Sequence, residues 1–287
     1  MTIPYYMQPG DLPSMDFYRQ LMEKYKSTQL IGIGEIQFKS GLEMFLQESR
    51  PDFIRFSDVE IQRKQSIEFK WGHDHDFGTF KLAGNMGTRH LKHLCVFHDQ
   101  FNRLPYDLTG KKILDIGCWT GGVSLLLAAC GAHVVAIDEV KKYCECLDYM
   151  AKSFGIRNLE VRNMSLYSLG AEEFQDAFDI VMFAGVLYHI TDMIVGMRHI
   201  FNALKDGGTC LLESTGFRAN EPVFGYMRRK WNWFDPSPQA LHDLFSDVGF
   251  VNISVGHVTP DSRLYGAAFR QTHVDIRRDG LSVPNIR

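Results

Sequence analysis

The sequence predicts an α/β fold, in which a mainly parallel sheet of seven strands carries helices on both faces and follows a mainly helical N-terminal extension. Two observations predict it. From residue 111 onward, short apolar runs alternate with amphipathic helical stretches, and this alternation is typical of a parallel sheet wound on both faces. The last two apolar runs follow each other without a helix, which indicates an antiparallel edge. The expected arrangement is Rossmann-like.

Composition limits the class of protein. The chain has 287 residues, of which 45% are hydrophobic and 23% are charged, and its net charge is −3. Such a chain can bury a sizeable core without disulfides or structural metals. The near-neutral charge excludes a strongly basic nucleic-acid binder and an acidic disordered chain, although a local basic patch stays compatible with it.

We expect residues 1–105 to form the N-terminal extension and residues 106–287 to form the second domain. In the extension, a first amphipathic helix places Phe17, Leu21 and Tyr25 on one face. That face must bury against something, so the extension is expected to cap a substrate site or to build a homodimer interface. Further helices are expected at about residues 42–46 and 57–69, and a loop rich in glycine and histidine at 70–90.

The chain shows no pattern of secretion or membrane insertion. Its six cysteines include no C-x-x-C pair, which argues against a zinc ribbon or a thioredoxin-type site, and we expect reduced thiols. The N-terminus lacks the basic and apolar regions of a signal peptide. The most apolar stretch, residues 123–137, is interrupted by Ser124, Gly131 and His133 and is too short to span a membrane. We therefore expect a cytoplasmic protein.

Seven short segments, most of them apolar, are the predicted strands. They lie at residues 111–117, 133–138, 159–162, 178–185, 209–215, 250–256 and 263–270. Helices are expected between them at 121–131, 140–155, 192–208 and 238–249, and each of these ends at a glycine, which is the residue that most often closes a helix.

The segment DIGCWTGG, which begins at Asp115, follows the first of these strands and opens a helix. Such a turn presents backbone N–H groups and a helix N-terminus to a ligand, and Gly117 and Gly121 allow a close approach. Asp138 ends the next strand, where an acidic residue commonly binds ribose hydroxyls. Trp119 breaks the G-x-G-x-x-G fingerprint of nicotinamide cofactors, and Asp115 suits an ammonium group rather than a pyrophosphate. The segment favours S-adenosyl-L-methionine; an ordinary glycine-containing turn is the alternative.

These blocks resemble a known family. Residues 109–270, with ILDIGCWTGG, AIDEV, FAGVLYHI and LKDGGTCLLES, resemble class I S-adenosylmethionine-dependent methyltransferases. GVLYH and the late WFDPSPQALHDLFSDVGF are similar to the tRNA uridine-34 carboxymethyltransferase-like branch and its small-molecule relatives. The resemblance implies an enzyme that uses S-adenosyl-L-methionine and releases S-adenosylhomocysteine. The implied cofactor contacts are Asp115, Gly117 and Gly121 in the loop, Asp138 at the ribose, Glu139 and Val140 at the adenosine, Met164 and Ser165 at the adenine, and Ala184 and Tyr188 toward the sulfur.

One position departs from the tRNA branch. Its members use a carboxylated cofactor and hold the extra carboxylate with cations, and Phe77 stands at the position of one such lysine. A buried phenyl ring cannot pair a carboxylate. The C-terminal arginine of that family corresponds either to Arg287 or to no residue of this chain. Ordinary methyl transfer is therefore expected rather than carboxymethyl transfer.

An oxygen nucleophile needs a base, usually a histidine or a carboxylate. His189 follows the fourth strand at the ligand-binding edge and is the first candidate, with a structural role for it equally open. The other candidates are His90 and Glu213, and less strongly His73, His75 and His93. The run His73-Asp-His-Asp76 suggests metal ligands, but nothing downstream completes a set, so no metal is expected.

The run RRKWNWF mixes cations with aromatic rings. Trp231, Trp233 and Phe234 could stack bases, or could form a lid that excludes water from a small substrate. The lid is favoured because the run is short and the chain is slightly acidic. The leading function is methylation of a small-molecule oxygen or nitrogen, such as a sugar or natural-product hydroxyl. The alternatives are tRNA wobble-uridine modification, a non-catalytic cofactor-binding protein and, more distantly, a dehydrogenase.

Overall fold

The structure is a computed structural model, and it describes residues 16–26, 28–46, 71–229, 232–258 and 263–271. The helix predicted at 57–69, Arg287 and Trp231 lie outside these residues. The chain divides into two compact units. The first comprises residues 1–111 and 117–164, and the second comprises residues 112–116 and 165–287. The predicted boundary at residue 105 stays a prediction.

The N-terminal part of the first unit is helical, as expected. Helix α1 (Asp16–Lys26) buries the predicted face of Phe17, Leu21 and Tyr25. Helix α2 (Glu35–Leu46) begins earlier than predicted. The segment expected to be a loop contains a two-residue pairing of β1 (His75–Asp76) with β2 (Lys81–Leu82), followed by α3 (Arg89–Cys95) and a π-helical turn, Val96–Gln100.

The rest of the first unit alternates helices with strands. Its elements are α4 (Gly122–Ala129), β4 (His133–Asp138), α5 (Lys141–Ser153) and β5 (Leu159–Asn163). Helix α4 is apolar on all sides and almost entirely buried, which is typical of a helix enclosed by other elements. It packs against α1 and α3. The extension therefore covers the helix that follows the predicted cofactor loop.

The second unit holds most of the predicted strands. Its elements are β3 (Lys112–Ile116), β6 (Phe178–Ala184), α6 (Met193–Ala203), β7 (Leu204–Ser214), β8 (Phe224–Arg229), β9 (Asn232–Pro236), α7 (Pro238–Val248), β10 (Val251–Val258) and β11 (Arg263–Phe269). Short 3₁₀ turns at Leu166–Gly170, Glu172–Phe174 and Leu187–His189 connect some of them. The hairpin of β8 and β9 was not predicted.

The seven-stranded sheet has the order β10-β11-β7-β6-β3-β4-β5. Strands β3 and β6, β6 and β7, and β4 and β5 pair in parallel. Strand β11 runs antiparallel to both β10 and β7. The structure thus confirms a mainly parallel sheet with an antiparallel edge.

Two further observations concern the cysteines and the helices. All six cysteines are buried, and each is a free thiol. Among the described residues, no helix has both the length and the apolar character that crossing a membrane requires.

Candidate functional site

The predicted cofactor loop of the first unit is a tight turn held by backbone hydrogen bonds. The N–H groups of Gly117 and Cys118 donate to the carbonyl oxygen of Ile137, at 2.8 and 3.1 Å. Gly117 and Gly121 have φ angles of +74° and +77°, which glycine adopts without a steric penalty. Trp119 has a φ of +48°, a costly conformation for a bulky residue, so packing around its ring must hold it.

Asp138 ends β4, as expected, and fixes the loop through both carboxylate oxygens. Oδ2 accepts the N–H of Trp119 at 3.1 Å, and Oδ1 accepts the N–H of Val140 at 2.8 Å. Each carboxylate oxygen has lone-pair capacity for a further hydrogen bond. Burial, reinforced by the charge of Glu139, raises the pKa of Asp138 to about 6.

The peptide carbonyl of Asp138 joins the ends of β4 and β5. It accepts the side-chain amide of Asn163 at 2.8 Å and the N–H of Met164 at 3.1 Å. Glu139 and Met164, two of the predicted cofactor residues, are partly exposed beside this junction.

The histidine-rich segment lies directly on the loop. His73 Nδ1 accepts the N–H of Gly122 at 3.1 Å and lies 3.2 Å from the hydroxyl of Thr120. His90 is fully buried, and its Nε2 lies 3.2 Å from the hydroxyl of Tyr25. Burial lowers the pKa of both His73 and His90 well below the usual value, so both rings are neutral near pH 7.

Phe77 lies within an aromatic cluster of the first unit. Its ring stacks on Phe154 at a centroid distance of 4.4 Å and on His75 at 5.7 Å, and the side chain is only 2% exposed. Phe77 is therefore a core residue, and its correspondence to a lysine of the tRNA branch stays a prediction. Among the described residues, no group of three or more histidine, cysteine, aspartate or glutamate side chains could hold a metal ion.

In the second unit, the remaining predicted cofactor residues lie at or just after strand ends. Asp115 is buried in β3, with 3% exposure. Ser165 precedes a 3₁₀ turn and accepts the N–H of Tyr167. Ala184 ends β6 and pairs in register with Glu213 on β7. Their roles as cofactor contacts stay predictions.

Sequence reasoning missed a buried cation in the second unit. Arg263, at the start of β11, forms a two-point ion pair with Glu213, in which Nη2 lies 3.0 Å from Oε2 and Nε contacts Oε1. The same guanidinium donates to the hydroxyl of Tyr188 at 3.3 Å. Glu213 is fully buried, and the negative charge of Glu213 keeps the pKa of Arg263 high despite burial. Both oxygens of this candidate base are thus occupied by Arg263.

His189 shares a 3₁₀ turn with Tyr188, and the two rings meet edge to face at a centroid distance of 4.2 Å. The hairpin strand β9 contacts this turn. Phe234 packs on Tyr226 across the hairpin, and the indole N–H of Trp233 is buried without a hydrogen-bond partner. The structure thus brings two of the three predicted lid residues into one hairpin over the turn that carries His189.

Comparisons with known proteins concern the family and the fold. A family model described as a methyltransferase domain matches residues 88–255, which is more than half of the chain. The tRNA U34 carboxymethyltransferase of Desulfotalea psychrophila is 30% identical over 155 residues, which cover 52% of this chain and 48% of the relative. That of Alteromonas mediterranea is 29% identical over 171 residues, covering 54% and 50%. The chain spans about half the length of the curated relatives it matches.

Solved structures show the same fold. Phosphoethanolamine N-methyltransferase 2 of Haemonchus contortus, in complex with S-adenosyl-L-methionine, superposes with a TM-score of 0.54 at 17% identity, over 63% of this chain and 52% of that chain. At this identity the similarity concerns the fold alone.

Proposed function

We propose that this chain, which belongs to the methyltransferase domain family, transfers a methyl group from S-adenosyl-L-methionine to an oxygen or nitrogen of a small molecule. The observation that carries the proposal is the hairpin of β8 and β9, whose second strand packs on the turn with Tyr188 and His189. A cover of this kind excludes water from a small acceptor. The buried, unpartnered indole N–H of Trp233 offers such an acceptor a hydrogen bond.

The residues of this chain suit the cofactor. Gly117 and Gly121 leave room for close approach to the loop backbone. The buried carboxylate of Asp115 attracts an ammonium group, and Asp138 can accept hydrogen bonds from ribose hydroxyls. When bound, S-adenosyl-L-methionine supplies the electrophilic methyl group on a positive sulfur, so the protein mainly aligns the reactants and excludes water.

His189 is the favoured base among the three candidates. His90 is fully buried beside Tyr25, and Glu213 is fully buried in its ion pair with Arg263. His189 is partly exposed at the carboxyl end of β6. A base must reach the proton that it removes, so partial exposure favours His189.

Modification of tRNA by carboxymethyl transfer is the second candidate. Two observations favour it. The chain matches about half the length of relatives that are named tRNA U34 carboxymethyltransferases. In addition, Arg263 places a guanidinium beside Tyr188. Two observations weigh against it. The charge of Arg263 is already balanced by Glu213, and Phe77 is buried among aromatic rings.

Calorimetric titration of the purified chain with S-adenosylhomocysteine and with carboxylated S-adenosyl-L-methionine distinguishes the two candidates. We expect no preference for the carboxylated form, because Phe77 is a buried phenyl ring and the charge of Arg263 is already balanced by Glu213. A preference of tenfold or more would favour carboxymethyl transfer. Incubation with methyl-labelled S-adenosyl-L-methionine plus either total tRNA or a small-molecule cell extract then tests the acceptor. Label that enters tRNA alone would contradict the small-molecule proposal.

A further inference from the structure

Both backbone groups of Gly122 are hydrogen-bonded to side chains of the N-terminal extension. Its N–H donates to His73 Nδ1 at 3.1 Å, and its carbonyl oxygen accepts the hydroxyl of Tyr25 at 3.1 Å. Gly122 is the first residue of α4 and the last residue of the loop segment that begins at Asp115. The first N–H groups of a helix have no partner within that helix, and the N-cap residue, Gly121, provides no side-chain hydrogen bond. His73 therefore caps α4 from 49 residues earlier in the chain.

Thr120 orients this imidazole. Its hydroxyl oxygen accepts the N–H groups of Gly72 at 3.3 Å and of His73 at 3.0 Å, and it lies 3.2 Å from His73 Nδ1. Thr120 is fully buried and His73 is 8% exposed. Residues 72–73 and 120–122 thus form a closed ring of buried hydrogen bonds.

The loop and this segment also fit each other in shape. A Cβ atom on Gly122 would lie 2.7 Å from Cγ of His73 and 2.8 Å from Cδ2 of His90. A Cβ atom on Gly72 would lie 2.4 Å from the indole ring of Trp119. Gly122 therefore makes room for two imidazole rings, and Gly72 makes room for Trp119, which takes a left-handed conformation.

We propose that His73 is a positioning residue for the cofactor loop: its neutral imidazole, oriented by Thr120, fixes the N-terminus of α4 so that the loop is formed before the cofactor binds. A backbone N–H can only donate, so Nδ1 must accept, and the proton of the ring must sit on Nε2. Burial, together with the nearby His75 and His93, lowers the pKa of His73, which keeps the ring in this form. Cofactor affinity then depends on the extension as well as on the loop.

Two variants of His73 separate hydrogen bonding from packing. His73→Leu keeps the bulk and removes the acceptor, whereas His73→Asn places an acceptor oxygen one bond from Cγ, as Nδ1 is in histidine. The measurements are amide hydrogen exchange over residues 119–125 without cofactor, and the dissociation constant of S-adenosylhomocysteine. We expect His73→Leu to speed exchange and weaken binding by about tenfold each, the effect of one lost buried hydrogen bond. His73→Asn should restore both the exchange rate and the affinity to within about threefold of the wild-type values.

His199→Leu is the matched control, because His199 is a buried histidine on α6 that lies against Tyr167 and Gly170 instead. It should leave exchange over residues 119–125 unchanged.

If His73→Leu does not fold, the variants Thr120→Val and Thr120→Ser provide the same test, since only serine keeps the hydroxyl. Wild-type exchange and affinity in His73→Leu would overturn the proposal. So would a folded His73→Asn that behaves like His73→Leu, because ring packing would then be the cause. Failure of the wild-type chain to bind S-adenosylhomocysteine would instead contradict the proposed function, and exchange would still test His73.

Discussion

Arg263 and Glu213 form a buried ion pair, and its contribution to the free energy of unfolding can be measured by substituting each residue in turn. The side chain of Arg263 is 12% exposed and that of Glu213 is 0% exposed. Removing one partner leaves a buried charge without compensation, which costs about 3–5 kcal/mol. We therefore expect Arg263→Met to lower the free energy of unfolding by this amount in urea denaturation.

The double variant Arg263→Met/Glu213→Gln should lose less stability than the two single variants summed, because it leaves no isolated charge. The exposed pair of Lys152 and Asp148, with side chains 75% and 47% exposed, serves as the control. Its coupling energy should be about 0.5 kcal/mol or less. A purely additive double variant at the buried pair would show that water reaches it.

The raised pKa of Asp138 predicts a pH-dependent affinity for the cofactor. Its pKa is raised from 3.8 to about 6, so the carboxylate becomes protonated as the pH falls from 7 to 5. The protonated form is a poorer acceptor for ribose hydroxyls and for the N–H of Trp119. The affinity for S-adenosylhomocysteine should therefore fall below pH 6, and calorimetry between pH 5 and 8 can follow it.

Variants at two carboxylates check this assignment. Asp138→Asn should bind weakly and without this pH dependence. Glu139→Gln should move the midpoint to lower pH, because the charge of Glu139 raises the pKa of Asp138. Without cofactor, the free energy of unfolding responds to pH in the opposite direction. Because the pKa of Asp138 is higher in the folded state, that state binds the proton more tightly than the unfolded state does. The contribution of Asp138 to stability therefore rises as the pH falls through 6. A midpoint unchanged in Asp138→Asn would assign the titration to another group.

At the scale of elements, Ser237 joins the N-terminus of α7 to the start of the hairpin. Its hydroxyl oxygen accepts the N–H groups of Ala240 at 3.2 Å and Val223 at 3.1 Å, and the hydroxyl donates to the carbonyl oxygen of Glu221 at 2.6 Å. The side chain is fully buried. Loss of a serine N-cap costs about 0.5–2 kcal/mol, and two further hydrogen bonds are lost here.

We therefore expect Ser237→Ala to lower the free energy of unfolding by about 2 kcal/mol or more. The same substitution at Ser246, an exposed residue of the same helix, is the control and should change stability by less than about 0.5 kcal/mol. Because Ser237 also holds the hairpin, the variant should make peptides over residues 221–226 exchange amide hydrogens faster. Equal stability of the two variants would contradict this role.

At the scale of the whole molecule, the extension is packed as part of the first unit. Helix α4 contacts α1 and α3, and both backbone groups of Gly122 bond to residues before position 106. We expect the fragment 106–287 to lose cooperative thermal unfolding and cofactor binding, because it exposes the apolar face of α4. Calorimetric melting of the fragment beside the whole chain measures this. A fragment that melts like the whole chain would show that residues 106–287 form an independent domain.

Much of the fold could be predicted because it depends on local patterns. Most strands of the sheet are apolar runs, and a glycine lies within two residues of the ends of α5 and α7, so their positions follow from neighbouring residues. The hairpin of β8 and β9 was missed because a run of cations and aromatic rings lacks the alternation of a strand. Arg263 and the contact of His73 with Gly122 were missed because each residue acts through a partner about 50 residues away, and no local signal marks such a pair.

The bonds to Gly122 also bear on how the chain reaches this structure. Tyr25 and His73 are separated from Gly122 by 97 and 49 residues. Contacts between residues so distant in sequence form slowly, because long loops must close before the bonds can stabilise them. During synthesis both partners leave the ribosome well before the glycine turn does. We therefore expect the turn to reach its final conformation late in folding, after α1 and the β1–β2 segment have packed against α4.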